Sequence, residues 1–301
     1  MTYYHHIGLF PADMEPRDQV VSPRQLCLEL LAAYASDRDP VPSRGLVDAL
    51  EDFDVSLSAA RAAITRLARR GLLRVERSGR NTSYAVVPEV LEGIAGMDRA
   101  TREFGLAERA WDGTWALAVF NLGGPASAQA YKMRNTLRWL GFGPLRDGVW
   151  ISPHAELSAG IPSLEESSAD GELLLFRAQA EYGRVDLERA FPLRRIREDY
   201  EAFIERCRDL HYRLRAGEVS DHEALVQRTD LISVWRRFPV IDPDLPASLL
   251  PSSWPRRRAR EMFETVDQAL RAPATRRARR LLWREDADAE AAATGAVALA
   301  R

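Results

Sequence analysis

The chain has little sulfur. Two cysteines, Cys27 and Cys207, are spread over 301 residues, which excludes a disulfide framework and any zinc-ligand spacing. Cys27 lies in the apolar run LCLELLAAY and reads as a small buried hydrophobe. His5 and His6 adjoin in the N-terminal stretch with no other ligand type beside them, so neither a metal nor a cofactor is expected. Long apolar runs are missing too. Nothing approaches the roughly 20 residues that a bilayer span needs, and MTYYHHIGLFPADMEPRD lacks a charged leader followed by an apolar core. The expected setting is a reducing cytoplasm with no membrane partner. There is no GxGxxG, phosphate-binding loop, Ser/His/Asp order or paired-carboxylate motif. An enzyme reading therefore has no active site to name.

Lysine is the scarcest charged residue. Lys132 stands alone among 42 basic residues, so richness in arginine by itself carries little meaning and its distribution matters more. The formal net charge is −2. From Glu29 to Asp54 seven acids face two arginines, a balance of −5; from Ser56 to Val87 seven arginines face Glu76, a balance of +6. Neighbouring segments of opposite sign suit a domain that turns one face to a polyanion.

Hydrophobic residues at 46% and charged residues at 29% describe a globular chain long enough for two or three domains. Residues 1–21 read as a flexible arm. Ser22 and Pro23 then open a helix with Leu26, Leu30, Ala33 and Tyr34 at helical spacing. Ser43 is expected to cap a second helix, RGLVDALEDF, and a third runs from about Leu57 to Arg70 before Gly71. LLRVE and YAVV read as strands joined by the basic turn RSGRNTS, and Pro88 opens a fourth helix. Three helices and a β-hairpin in this order form a winged helix-turn-helix over 22–105.

On the third helix Leu57, Ala60, Ile64 and Leu67 are expected to form the core face. Ser58, Ala62, Thr65, Arg66 and Arg69 fall on the other side. Small residues there let a helix sit deep in a major groove, while Arg66 can reach a base edge or phosphate. Arg70 and, in the hairpin, Arg77, Arg80, Asn81 and Thr82 offer donors to backbone phosphates. Ser43 and Arg44 stand at a helix N-terminus, which also favours phosphate.

From Trp111 the pattern changes. WALAVFNL is an apolar strand, PASAQAYKMRNTLRWLGFG an amphipathic helix with Tyr131, Met133, Leu137 and Leu140, and DGVWISP and GELLLFRAQ are further strands. The expectation for 106–186 is an α/β sandwich of ferredoxin-like type. Helices dominate 187–283, including DYEAFIERCRDLHYRL, HEALVQRTDLISVWRRF and RRRAREMFETVDQALRA, whose first arginines, at 256–258, are expected to cover surface or contact a partner subunit. Residues 284–301 read as a disordered tail. The fold class is α+β.

Three blocks resemble the PaaX-type bacterial transcriptional regulators: the winged helix with ARAAITRLARRGLL and GRNTSYAV, the segment WDGTWALAVF…LRWLGFGPLRDGVWISPH at 111–154, and LISVWRRFPVIDPDLPASLLPSSWPRRRAREMF at 231–263. The resemblance spans about 22–282. It implies a dimeric repressor of a catabolic operon that binds a palindromic double-stranded operator. It also implies a central domain like the small CRISPR adaptation endonuclease and release by a small-molecule effector, an aryl- or acyl-CoA thioester being the class suggested. Candidate effector contacts are Arg134, Arg138, Trp139, Trp150, His154 and Trp235: an i, i+4 arginine pair for phosphates, and aromatics for an acyl group. The endonuclease relatives carry an acid after their first strand, whereas this strand ends in FNLGG with Asn121. That counts against the rival reading of a nucleic-acid-processing enzyme. A second rival is a winged helix that binds protein partners and never touches DNA.

Overall fold

The computed structural model describes residues 22–35, 40–106, 110–121, 128–154, 162, 164–165 and 172–283. The expected N-terminal arm and C-terminal tail lie outside them, as does the side chain of Trp139. The chain divides into two compact units, one drawn from Met1–Arg102, Asp209–Trp235 and Glu264–Arg301, the other from Glu103–Arg208 and Arg236–Phe263.

The first unit begins with α1 (Pro23–Tyr34), whose N-cap Ser22 accepts from the Gln25 amide at 3.3 Å. A short strand β1 (Val41–Pro42) leads into α2 (Ser43–Glu51). Ser43 does not cap it as expected: the N-cap position is Pro42, which has no side-chain acceptor, and Ser43 is already the first helical residue. Ser56 caps α3 (Leu57–Arg69) by accepting from the Ala59 amide. At the other end Gly71 takes φ +71°, and the amides of Gly71 and Leu72 bond to the carbonyls of Ala68 and Leu67. This is the paired closure that a left-handed residue after a helix allows. The strands β2 (Leu73–Ser78) and β3 (Asn81–Val86) run further than the sequence suggests, leaving only Gly79 and Arg80 as the loop. Gly79 has φ +59° while Arg80 does not have a positive φ, the signature of the tight hairpin turn that favours glycine first. The sheet order is β1-β3-β2, and α4 (Pro88–Glu103) follows.

Ala60, Ala63, Ile64 and Leu67 form the buried face of α3, but Leu57 is 43% exposed. It is the first helical residue, and helical side chains lean toward the N-terminus, so it points past the core. That core joins α1, α2, α3, the sheet and α4 to residues far along the chain: Leu225 in α8 (Asp221–Trp235) and Ala274, Ala278 and Leu282 in α10 (Arg256–Trp283). The sequence signal for α10 stops near Ala272, yet the helix runs through Pro273 to Trp283. An internal proline costs about 3 kcal/mol in lost bonding and crowding. Downstream, Ala274, Ala278 and Leu282 are buried to within 1% of full, and this packing keeps the last turns helical.

In the second unit β4 (Trp115–Asn121), α5 (Ala128–Trp139), β5 (Gly143–Arg146), β6 (Val149–Ser152) and β7 (Glu172–Ala178) form a four-stranded antiparallel sheet ordered β5-β6-β4-β7, with α5 beside it. The sequence reading runs past β5, a four-residue strand between a glycine and a two-residue turn. Ala116, Ala118 and Trp150 of the sheet pack with Ala130, Met133 and Leu137 of α5. Tyr131 is 49% exposed rather than packed, because two residues of helix separate it from Met133 by about 200°. Trp115 and Ile151 meet Ala190 of α6 (Leu187–Ala190) and Phe191, Leu193 and Leu245 in a separate cluster.

A buried polar knot organises the rest of this unit. Asp242, after α9 (Phe238–Ile241), is 4% exposed. Its carboxylate accepts from the Tyr200 hydroxyl of α7 (Leu193–Arg215) at 2.7 Å and from Arg256 Nε and Nη2 at 2.9 and 2.7 Å. Arg256 also pairs with Asp244 at 3.0 Å. It is thus an internal tie, not the surface or partner-subunit contact expected from its place in PRRRARE. Burial first, and then the Asp242 charge, push the Tyr200 hydroxyl far above its usual range. Cys27 and Cys207 are both buried, and burial pushes each thiol up to about 12.

Candidate nucleic-acid interface

The exposed side of α3 carries Ser58, Thr65, Arg66 and Arg69, with Ala62 half-buried between them and Arg61 and Arg70 at its flanks. Positions 58, 62, 65, 66 and 69 repeat at helical spacing, so one face holds the small residues and the arginines together. Two side chains fold back on their own helix: the Thr65 hydroxyl donates to the Arg61 carbonyl at 2.8 Å, and Arg66 Nε–H donates to the Ala62 carbonyl at 3.2 Å. Both groups exchange weak intrahelical bonds for a ligand at small cost.

In the hairpin Arg77 stands opposite Thr82 and Ser78 opposite Asn81. Arg77, Arg80 and Asn81 are exposed and Thr82 is half-buried. Glu76, the one acid of the hairpin, pairs with Arg74 at 2.9 Å. Among the described residues Arg61, Arg69, Arg70, Arg77 and Arg80 therefore have no acidic partner. Five unneutralised guanidinium groups on one helix and its adjoining hairpin make a surface suited to phosphates. Arg44 is exposed and Ser43 half-buried at the start of α2.

The residues read as effector contacts do not all belong together. Arg138 lies 5.4 Å from the Trp150 ring centroid, over a ring that is itself 3% exposed in the α5–sheet core. Arg134 is half-buried on the same helix. His154 Nε2 is 2.8 Å from the Pro243 carbonyl, and its ring sits where a Cβ on Gly141 would be 2.9 Å away. Trp235 belongs to the other unit. It is fully buried and donates to the Thr101 carbonyl at 3.3 Å.

Sequence reasoning missed a second set of charges. Asp52, half of one ion-pair network, accepts from Arg277 Nε and Nη2 at 3.1 and 2.5 Å and from His222 Nδ1–H at 2.9 Å. Burial opposes ionisation of Asp52, but the bonds from Arg277 and His222 outweigh it and hold the carboxyl below the usual range. In the same unit Arg276 grips Asp221 through two bonds at 3.1 and 2.7 Å. Arg228 donates to the Tyr34 hydroxyl at 3.0 Å and pairs with Asp267 at 2.8 Å. The partners lie 39 to 225 residues apart, so no local motif announces them.

Three family models match successive parts of the chain: PaaX-like protein at 22–89, PaaX protein central Cas2-like domain at 108–190, and PaaX-like protein C-terminal domain at 191–280. The transcriptional repressor PaaX of Escherichia coli (strain K12) is 30% identical over 234 residues, which cover 75% of this chain and 72% of that one. The chain belongs to the PaaX family. An uncharacterized protein of Mycobacterium tuberculosis, Rv0674, shares the fold with a TM-score of 0.53 at 22% identity, covering 84% of this chain and 97% of that one. The PaaX relative is a repressor rather than an enzyme. Among the described residues no helix is long and apolar enough to cross a membrane.

Proposed function

We propose that the protein is a transcriptional repressor that grips double-stranded DNA through α3 and the β2–β3 wing. The observation that carries this reading is the row of exposed arginines without acidic partners on those two elements, in a chain of the PaaX family. α1 to α3 with the β1-β3-β2 sheet then act as a winged helix-turn-helix. Ser58, Ala62, Thr65 and Arg66 face the bases, and Arg69, Arg70, Arg77, Arg80, Asn81 and Thr82 hold phosphates, with Ser43 and Arg44 adding to the phosphate contacts. The β5-β6-β4-β7 order, with α5 after β4, supports a ferredoxin-like reading of the second unit.

The protein acts as a cytoplasmic homodimer on a palindromic operator, two copies of α3 entering major grooves about 34 Å apart or a multiple of that. The three-part division at 22–105, 106–186 and 187–283 assigns DNA binding to the first part and effector response to the others. The effector, an aryl- or acyl-CoA thioester, releases DNA only to the extent that it binds the free form more tightly. Arg134, Arg138, Trp139, Trp150, His154 and Trp235 are the candidate contacts. The test is binding of the purified protein to a duplex from upstream of its own gene across a salt series. A steep fall of affinity with salt and a preference over random duplex are expected; salt-insensitive or absent binding would contradict the reading.

A further inference from the structure

The turn between α2 and α3 is short: four residues, Asp52 to Val55, separate the last residue of α2 from the N-cap Ser56 of α3. Whatever fixes this turn fixes the angle at which α3 leaves it. Asp54 takes φ +60°, an uncommon backbone state for a residue with a side chain, and one that persists where surroundings over-determine it. Phe53 and Val55 pack against the core of the unit. Asp52 is the polar anchor, its side chain only 8% exposed. It is held from two directions, by Arg277 of α10 and by His222 of α8. A guanidinium gripping both carboxylate oxygens restricts orientation as well as distance.

Two further contacts bring the same helices onto the same region. At Gly45 in α2, an added Cβ would lie 2.1 Å from the Leu282 carbonyl oxygen. The last turn of α10 therefore rests on the backbone of α2, and glycine is what makes the approach possible. Arg228 of α8 bonds the Tyr34 hydroxyl of α1 and pairs with Asp267 of α10. Residues from the C-terminal part of the chain thus contact both helices that precede α3.

We propose that Arg277 and His222 are positioning residues for DNA recognition. They hold Asp52, and through it the α2–α3 turn, so that α8 and α10 set how α3 is presented to the groove. The idea rests on the DNA-binding reading above and adds that residues remote from the DNA govern its specificity. A misplaced α3 loses directional base contacts before it loses phosphate attraction, because the former are geometric and the latter long-ranged. Discrimination is therefore the quantity to measure, not affinity alone.

The experiment compares full-length wild type with Arg277→Ala and Arg276→Ala. Each is titrated with a fluorescent duplex from upstream of the protein's own gene and with a random duplex of equal length, and each is melted. Arg276 is the control. It lies on α10 like Arg277 and makes an equally bidentate pair, with Asp221 of α8, but does not touch the turn. Arg277→Ala is expected to lower the ratio of specific to random affinity about tenfold, the size of one lost base contact, and Arg277→Lys to recover part of it. Arg276→Ala is expected to leave the ratio within about twofold of wild type. If Arg277→Ala melts below the assay temperature, Asp52→Asn keeps the side-chain shape and carries the same expectation. An unchanged ratio in Arg277→Ala or Asp52→Asn, or an equal fall in Arg276→Ala, overturns the proposal. A wild type with no preference for its own upstream duplex overturns the DNA-binding reading beneath it, a distinct result.

Discussion

Arginines of two kinds occupy the first unit. On α3 and the wing they are exposed and, among the described residues, Arg61, Arg69, Arg70, Arg77 and Arg80 lack acidic partners. On α8 and α10 they are committed: Arg228 to Tyr34 and Asp267, Arg276 to Asp221, Arg277 to Asp52. The same residue type serves as ligand surface in one place and as internal tie in the other, and pairing separates the two uses. An unpaired guanidinium carries its charge to a phosphate without first breaking a bond. A paired one contributes shape instead.

The comparison can be broken first at the packing beneath it. Leu282→Ala removes a fully buried side chain from the α10 end. A loss of about 2–5 kcal/mol is expected, read as a lower midpoint in urea, with DNA affinity falling only as far as the fraction unfolded dictates. If stability is untouched, α10 is not part of the unit that holds α3. Arg66→Ala acts oppositely. Its side chain is exposed, so melting is expected to stay put, while affinity for the specific duplex falls by roughly 1–3 kcal/mol if it reads a base. Equal loss on random duplex makes it a phosphate contact.

Much of this division was legible early. The order of helices and hairpin, the Gly71 stop and the positive swing of charge follow from local spacing and turn chemistry, which neighbouring residues dictate. The ties were not. Asp52 reads as one more acid in a −5 stretch because its partner lies 225 residues away, and the turns of α10 beyond Pro273 have no local helix signal because burial of Ala274, Ala278 and Leu282 is a tertiary effect. Ser43 lies one position inside the helix it was expected to cap, and Leu57, at the helix start expected for it, leans toward the N-terminus and past the core.

Smaller effects sharpen the contrast. Arg77→Ala and Arg80→Ala are each expected to weaken specific and random binding alike and to reduce the salt slope by about 1. The ties have a pH signature. The pairing arginine bonds Asp221, burial opposes, and the balance holds its carboxyl below the usual range, as it does at Asp52. A carboxyl depressed in the folded state contributes stability that is complete above its unfolded value near 3.9 and is lost as pH falls through the lower folded value. The urea-midpoint gap between wild type and Asp52→Asn is therefore expected to shrink as pH falls from about 4 toward 2.

The division of labour among arginines is tested most directly by the salt dependence of DNA binding for Arg80→Ala beside Arg276→Ala. The account requires the slope to fall by about 1 for Arg80→Ala and to stay at the wild-type value for Arg276→Ala. Equal slopes for the two variants would contradict it.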